Sequence, residues 1–259
     1  MGGKKLFFFD IDGTLIPEDT YCLPSPAVCG ALSALRAEGH KIFLCTGRPV
    51  CDIGPELMGM ELDGIVAGAG AYISLGGKCL FHKSIPLPLL RETVDRLIRC
   101  RVSGLLDGTH SLYYAGRGSR VMHWDFPRIE RAEDLTGEES IEKFTVRVSY
   151  PEEFAPLREY LSLHYEIYAS DDGLFYEMAQ RGWDKASAMR RLCEHFGMGL
   201  EDTVAFGDSR NDLLILRTAG TGVAMAQAPE EVRQAAQLVT GTVEEDGVYS
   251  ALRCLGFVS

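Results

Sequence analysis

The chain of 259 residues has few of the features that mark nucleic-acid binding, export or membrane insertion. Basic side chains are in deficit, because 26 Lys and Arg stand against 37 Asp and Glu and the net charge is −11. Nucleic-acid surfaces need clustered Lys and Arg, so this balance argues against such a partner. No apolar run is long enough for a signal core or a membrane span. We therefore expect a cytoplasmic protein with neither a nucleic-acid nor a membrane partner.

Several familiar hydrolase signatures are absent as well. The sequence has no Ser in G-x-S-x-G, no Cys in C-x₅-R, no H-E-x-x-H pair and no Walker-type loop. Cysteine is not scarce, but the eight cysteines show no C-x-x-C and no metal-type spacing. We expect most of them to be reduced, small apolar fillers. Because these signatures are absent, the acidic residues are the main candidates for catalysis.

An apolar run near the start of the chain ends in two acids, in the order Phe8-Phe9-Asp10-Ile11-Asp12-Gly13-Thr14. Side chains at i and i+2 of an extended segment share a face, about 6–7 Å apart. Two carboxylates that close repel each other unless a cation or a proton intervenes. At the end of a parallel strand, where ligands bind, one acid can attack an electrophile while the other handles protons. The alternative is a solvated turn at a strand end, which a bare pair of acids would favour.

The pattern of the remaining chain predicts an α/β fold with an insertion. Strands and helices alternate over the first 70 residues and again after residue 183, which predicts a Rossmann-like parallel sheet with helices on both faces. Helices are expected over residues 49–58 and 211–219, among others. Between these two regions helices and strands mix, which indicates an inserted α+β domain. The expected boundaries are 1–84 and 182–259 for the two parts of the core domain and 85–181 for the inserted domain.

Three further polar clusters follow predicted strands or begin predicted helices. Thr46-Gly47-Arg48 offers a hydroxyl and backbone amides to an oxyanion. Lys185 is a lone cation at the first turn of a helix, and the run from Gly207 to Asp212 carries two acids and an amide. Phosphoryl transfer needs this inventory of positioning groups and positive charge. Taken singly, each residue also has an ordinary alternative role, as a helix cap, a turn acid or an exposed lysine.

As an ordered set, D-x-D-G-T, T-G-R, a distant Lys and G-D-x-x-N-D resemble the motifs of the haloacid dehalogenase-like hydrolase superfamily. The insertion between the second and third motifs resembles the Cof-type branch, subclass IIB, whose large cap domain lies over the active site. The resemblance implies a Mg²⁺-dependent phosphatase that hydrolyses a small phosphorylated metabolite, a sugar phosphate or a phosphorylated cofactor. The intermediate would be an aspartyl-phosphate.

The resemblance also implies a role for each motif residue. Asp10 would be the nucleophile, Asp12 the acid and base, and Lys185 a neutralising cation, with Thr46 bonding the phosphoryl group. Asp212 would orient Lys185 or a metal-bound water. The implied site residues are Asp10, Asp12, Thr46 and Lys185 for catalysis, Gly47, Arg48 and Asn211 for phosphate, and Asp10, Asp12, Asp208 and Asp212 for Mg²⁺. For Arg48 a structural role is the stronger expectation.

The sequence departs from this branch at two places. Ala69-Gly70-Ala71 stands where Asn-Gly-Ala is usual, and Gln227 stands where the usual Met-Gly-Asn-Ala has its asparagine. Two other functions stay open, a phosphohexomutase-like phosphotransferase and a non-catalytic ligand-binding protein. The oligomeric state is also open. Four aromatic residues of the cap are candidates to line a substrate, but packing is the favoured role for each: Tyr113, Tyr114, His123 and Trp124.

Overall fold

The computed structural model describes residues 3–18, 20–116 and 126–259. Contacts between residues divide the chain into two compact units. The first unit consists of Met1–Gly47, Ile53–Phe81 and Asp184–Ser259, and the second of Arg48–Asp52 and His82–Trp183. Most of the second unit is therefore a single insertion in the sequence of the first.

Short strands and helices alternate along both units. The strands are β1 (Leu6–Phe9), β2 (Lys41–Cys45), β3 (Gly64–Ala67), β4 (Tyr72–Leu75), β5 (Lys78–His82), β6 (Gly104–Gly108), β7 (Leu112–Ala115), β8 (Arg128–Ile129), β9 (Ile141–Arg147), β10 (Tyr165–Ala169), β11 (Phe175–Gln180), β12 (Thr203–Gly207), β13 (Thr221–Ala224) and β14 (Leu238–Val239). The helices are α1 (Pro26–Ala37), α2 (Pro55–Met58), α3 (Leu87–Arg99), α4 (Ala155–His164), α5 (Lys185–Phe196), α6 (Leu213–Thr218), α7 (Glu230–Ala235) and α8 (Gly247–Cys254). None of these helices, within the described ranges, is both long and apolar enough to cross a membrane.

The sheet of the first unit runs in the order β14-β13-β12-β1-β2-β3-β4-β5. Neighbours from β14 to β3 are parallel, and β4 pairs antiparallel with β3. All four residues of β1 are buried, as expected for a strand between β12 and β2 with both faces covered. The predicted Rossmann-like α/β core is confirmed. Because parallel strands end at one edge, the residues that follow β1, β2 and β12 meet there.

Caps at the helix ends fix where two of these helices begin. The Ser25 hydroxyl accepts a hydrogen bond from the backbone amide three residues further on (3.2 Å), and Pro26 begins α1. The Asp184 carboxylate caps α5 in the same way (2.6 Å), and the helix ends at Gly197, whose φ is +63°. The Asp184 cap makes Lys185 the first residue of α5.

The helices predicted over residues 49–58 and 211–219 are wrong in part. Residues 49–58 do not form one helix: a 3₁₀ turn at Val50–Asp52 precedes the short α2. Pro55 disfavours the helical conformation at Gly54, whose ψ is 149°. In the segment predicted at 211–219, α6 is likewise preceded by a 3₁₀ turn, at Arg210–Asp212.

The sheet of the second unit runs in the order β10-β11-β9-β6-β7-β8. Its neighbours are antiparallel apart from the β7–β8 pair. Helices α3 and α4 share one hydrophobic core with this sheet. The core includes Leu97 of α3, Phe144 of β9 and Leu161 of α4. The predicted α+β architecture is confirmed here, although β6, β7 and β8 were not predicted. Gly104 and Gly108 bound β6, and glycine is depleted in strands.

Candidate active site

The first motif forms a tight turn beyond β1. Asp10 is buried, and its backbone amide extends the pairing with β12 at 3.1 Å. The amides of residues 14–16 all donate to the carbonyl of Ile11, which closes the turn. Gly13 has a φ of +70°, and a Cβ at this position would lie 2.2 Å from Oδ2 of Asp208. Glycine at position 13 therefore permits both the turn and the approach of a second acid.

The second motif lies at the same edge, beyond β2. Thr46 is buried, and its backbone carbonyl accepts from the amide of Ala69 at 3.1 Å. Gly47 follows it as the last residue of this stretch of the first unit. Arg48 belongs to the second unit and donates from Nη1 to the carbonyl of Asp52 at 3.3 Å. This contact supports the structural role that was the stronger expectation for Arg48.

Lys185 lies between two carboxylates inside the first unit. Its Nζ is 3.0 Å from Oδ1 of Asp10 and 2.7 Å from Oδ1 of Asp212. Only 1% of the residue is exposed, so the alternative of an ordinary surface lysine is wrong. Burial lowers the pKa of Lys185, but the attraction of Asp10 and Asp212 outweighs it and raises the pKa well above its usual range. The two carboxylates therefore favour the charged form of Lys185.

Asp212 uses both of its carboxylate oxygens within the protein. While Oδ1 bonds Lys185, Oδ2 accepts from the backbone amides of Asp208 (3.1 Å) and Ser209 (3.0 Å). A Cβ on Gly207 would lie 2.4 Å from the Asp212 Cγ, so glycine there makes room for this carboxylate. Of the roles expected for Asp212, this geometry suits the orientation of Lys185.

A hydroxyl of the first motif holds the Asp208 carboxylate in place. Its Oδ1 accepts a hydrogen bond from the hydroxyl of Thr14 at 2.9 Å. No role was predicted for Thr14 from the sequence, although its place in D-x-D-G-T was a signal. Asn211 accepts from the hydroxyl of Ser209 at 2.9 Å, which fixes its side-chain oxygen in the loop after β12. The structure thus joins the first and fourth motifs directly.

The three buried acids carry more negative charge than the protein neutralises locally. Carboxylate oxygens of Asp10, Asp208 and Asp212 lie within 4.8 Å of one another. Burial, together with the repulsion of Asp212 and Asp208, raises the pKa of Asp10 well above its usual range despite Lys185. Burial and then Asp212 raise the pKa of Asp208 to about 7. Three carboxylates and one ammonium leave a surplus of two negative charges when all are ionised. This set of hard oxygen donors fits Mg²⁺, which would also lower both carboxyl pKa values.

The two departures from the usual motifs both lie close to these loops. Ala69 has a φ of +54°, in the left-handed region that favours glycine or asparagine. Gln227 donates from Nε2 to the carbonyl of Gly13, in the turn that carries the first motif. The sequence left the effect of both replacements open, and the structure assigns a contact to Gln227.

Other sequence expectations have mixed outcomes. Tyr113 packs against the core of the second unit and Tyr114 is buried, so packing is confirmed for both. His123 and Trp124 lie outside the described residues. All eight cysteines are free thiols, as expected. The apolar-filler role holds for buried Cys45 and Cys193, and it is wrong for the exposed Cys22, Cys51, Cys79 and Cys254.

Comparison with known proteins gives this arrangement a family. The sequence profile of the haloacid dehalogenase-like hydrolases matches residues 7–252. The chain belongs to this family. Among curated relatives, this hydrolase is 29% identical to the 5-amino-6-(5-phospho-D-ribitylamino)uracil phosphatase YitU of Bacillus subtilis, covering 96% of each chain. It is 26% identical to the pyridoxal phosphate phosphatase YbhA of Escherichia coli, covering 94% of this chain and 96% of the relative.

A solved structure places the hydrolase more finely. The subclass IIB sugar phosphatase BT4131 superposes with a TM-score of 0.83 and 29% identity, covering 98% of this chain and 100% of that one. The resemblance to the Cof-type branch is therefore confirmed, and the hydrolase is an enzyme of the phosphatase type.

Proposed function

We propose that this hydrolase is a Mg²⁺-dependent phosphatase that acts on a small phosphomonoester through an aspartyl-phosphate. The observation that carries the proposal is the buried cluster in which the Lys185 ammonium bridges Asp10 and Asp212 beside Asp208. Such a cluster supplies a carboxylate nucleophile, a fixed cation and a place for a divalent ion. The substrates named for YitU, YbhA and BT4131 support a sugar phosphate or a phosphorylated cofactor as the substrate class.

In the first step, a carboxylate oxygen of Asp10 attacks the phosphorus of the substrate. The bond from phosphorus to the leaving oxygen breaks, and that oxygen takes a proton from Asp12. Lys185 neutralises charge on the transferred group, and the Thr46 hydroxyl donates a hydrogen bond to it. Asp212 keeps the Lys185 ammonium in place through its 2.7 Å contact.

In the second step, Asp12 accepts a proton from water as the water oxygen attacks the phosphorus. The bond between Asp10 and phosphorus breaks, which releases inorganic phosphate and restores both carboxyl groups to their starting states. Mg²⁺, held by Asp10, the Asp12 carbonyl and Asp208, would offset negative charge on the phosphoryl oxygens throughout.

The test is phosphate release from a panel of sugar phosphates and phosphorylated cofactors, with Mg²⁺ and with a chelator. In Asp10→Asn we expect release to fall at least about 10³-fold, because the nucleophile is lost. Asp202→Asn is the matched control, since Asp202 is part-exposed and 3.7 Å from Lys5 on the surface. Both variants should melt near the wild-type temperature.

Two results would contradict the proposal. Undiminished phosphate release by Asp10→Asn would exclude Asp10 as the nucleophile. Undiminished phosphate release in chelator would exclude a requirement for Mg²⁺. Isomerised sugar phosphate in place of free phosphate would instead show phosphotransfer to a sugar hydroxyl.

A further inference from the structure

The carbonyl of Gly13 is held by a side chain that lies more than 200 residues later in the sequence. Gln227 donates to this carbonyl from Nε2. The neighbouring amides are held by the backbone: Gly13 donates to Ile16 at 2.8 Å, and Thr14 donates to Ile11 at 3.2 Å. Gln227 therefore adds a hydrogen bond from a distant side chain to a turn whose backbone hydrogen bonds are local.

Arg233 braces the backbone on which Gln227 is carried. Its Nη1 donates to the carbonyls of Ala226 (3.0 Å) and Ala228 (2.9 Å), the residues on either side of Gln227. Its Nη2 lies 2.5 Å from Oε2 of Glu230, which fixes the guanidinium. A rigid guanidinium that bonds both flanking carbonyls holds the start of the Gln227 side chain in place. The amide donor is thus presented from a fixed point even though the side chain is exposed.

The Gly13 peptide is in turn packed against the acid cluster. Gly13 lies so close to Asp208 that a Cβ would clash with its Oδ2, and the next residue, Thr14, bonds Oδ1 of the same carboxylate. In a trans peptide the carbonyl opposes the amide, so the bond from Gly13 to Ile16 directs the Asp12 carbonyl away from Ile16. A movement of Gly13 would therefore shift both the Asp12 carbonyl and the Asp208 carboxylate.

We propose that Gln227 is a positioning residue for the Mg²⁺ site, acting through Gly13 on the Asp12 carbonyl and the Asp208 carboxylate. The inference rests on the proposed function, because it takes those two groups as metal ligands. Groups that orient metal ligands without touching the ion commonly change metal affinity or activity by about 10–100-fold. Within the described residues Gln227 forms a hydrogen bond with neither Asp10 nor Lys185, so its effect should fall on Mg²⁺ binding.

The experiment compares Gln227→Met, which keeps the side-chain length without the amide, with Gln227→Ala. Lys78→Met is the control, since Lys78 is an exposed residue of the edge strand β5. Mg²⁺ affinity is measured by calorimetry on the full chain without substrate, and Tm is measured in chelator. We expect both Gln227 variants to bind Mg²⁺ at least about 10-fold more weakly, with Tm in chelator close to wild type. The control should match wild type in both.

Kinetics give a second readout. With p-nitrophenyl phosphate, the loss in kcat should shrink as Mg²⁺ is raised to saturation, while KM changes little. Wild-type Mg²⁺ affinity in Gln227→Met would overturn the inference, and so would a lowered Tm in chelator with unchanged affinity, since that marks a purely structural contact. If the wild-type protein releases phosphate but binds no Mg²⁺, the proposed Mg²⁺ dependence is wrong, and the role of Gln227 in Mg²⁺ binding is wrong with it.

Discussion

Lys185→Met is the substitution whose effect follows most directly from the structure. Methionine keeps the length of the side chain but removes a positive charge from a position that is 1% exposed. The change leaves Asp10 and Asp212, at 3.0 and 2.7 Å from the ammonium, without their shared cation. Removing one partner of a buried ion pair costs about 3–5 kcal/mol. Because two carboxylates are affected, we expect the free energy of unfolding in chelator near neutral pH to fall toward the upper end of that range.

The loss of folding stability in Lys185→Met should depend on pH in a defined direction. Burial and neighbouring acids already raise the pKa of Asp10, and Lys185 is the group that opposes them. Without Lys185 the pKa of Asp10 rises further. A carboxyl with a raised pKa binds its proton more tightly in the folded state, so stability is retained at low pH and lost as pH rises. The penalty in Lys185→Met should therefore be smaller near pH 5 than near pH 8, and Mg²⁺ should restore part of it.

Lys41→Met is the matched control, because Lys41 pairs with Asp63 at 2.8 Å while its side chain is 43% exposed. A surface pair of this kind contributes about 0–1 kcal/mol. Urea unfolding followed by circular dichroism, with both variants in chelator at the two pH values, gives the comparison. Phosphate release by Lys185→Met should also fall about 10²–10³-fold. A stability loss no greater than that of Lys41→Met would refute the reasoning.

Three further changes test other parts of the structure by thermal melting. Gly13→Ala should lower the free energy of unfolding by at least about 2 kcal/mol, because the left-handed φ is strained for alanine and the new Cβ meets Asp208; an unchanged Tm would contradict this. Gly30→Ala should raise stability by about 0.5–1 kcal/mol, since Gly30 is exposed inside α1 with open space at its Cβ; a lower Tm would count against it. Burial raises the pKa of Glu142 from 4.5 to about 7, so the contribution of Glu142 to wild-type stability should fall by about 3 kcal/mol as pH rises through this interval, and Glu142→Gln should make the slope shallower. Equal slopes in the two proteins would refute the last prediction.

The core elements could be predicted from the sequence where local signals agree. The sequence pattern predicts strands over Lys41–Cys45 and Gly64–Ala67 and a helix over Lys185–Phe196, and these are the observed bounds of β2, β3 and α5. Each of these segments combines an apolar pattern with a clear start or stop. The position of the site also follows from topology, since acids placed after parallel strands must meet at one edge. Local signals fail at Gly54-Pro55, where a proline interrupts a segment that is otherwise helical in pattern.

The contacts within the site could not be predicted in the same way. That Lys185 bonds Asp10 and Asp212 together depends on the packing of α5 against the sheet, which joins residues 175 positions apart in the chain. The tie from Gln227 to Gly13 has no local signal either, because the side chain acts on a peptide at the other end of the sequence. Sequence pattern identifies the chemical groups, whereas tertiary packing decides which of them touch.

The pairing of β1 with β12 has a consequence for biosynthesis. Leu6 lies beside Thr203, so one neighbour of the first strand leaves the ribosome about 200 residues after the strand itself. At ordinary elongation rates that interval is roughly 10 to 40 s. Until β12 is synthesised, the Phe-rich β1 has β2 as the one available neighbour of the two it pairs with in the finished sheet. Lys185, the ion-pair partner of Asp10, is also synthesised late in this interval. The nascent chain thus passes through a long interval with an exposed apolar edge, when chaperone binding or aggregation would compete with completion of the sheet.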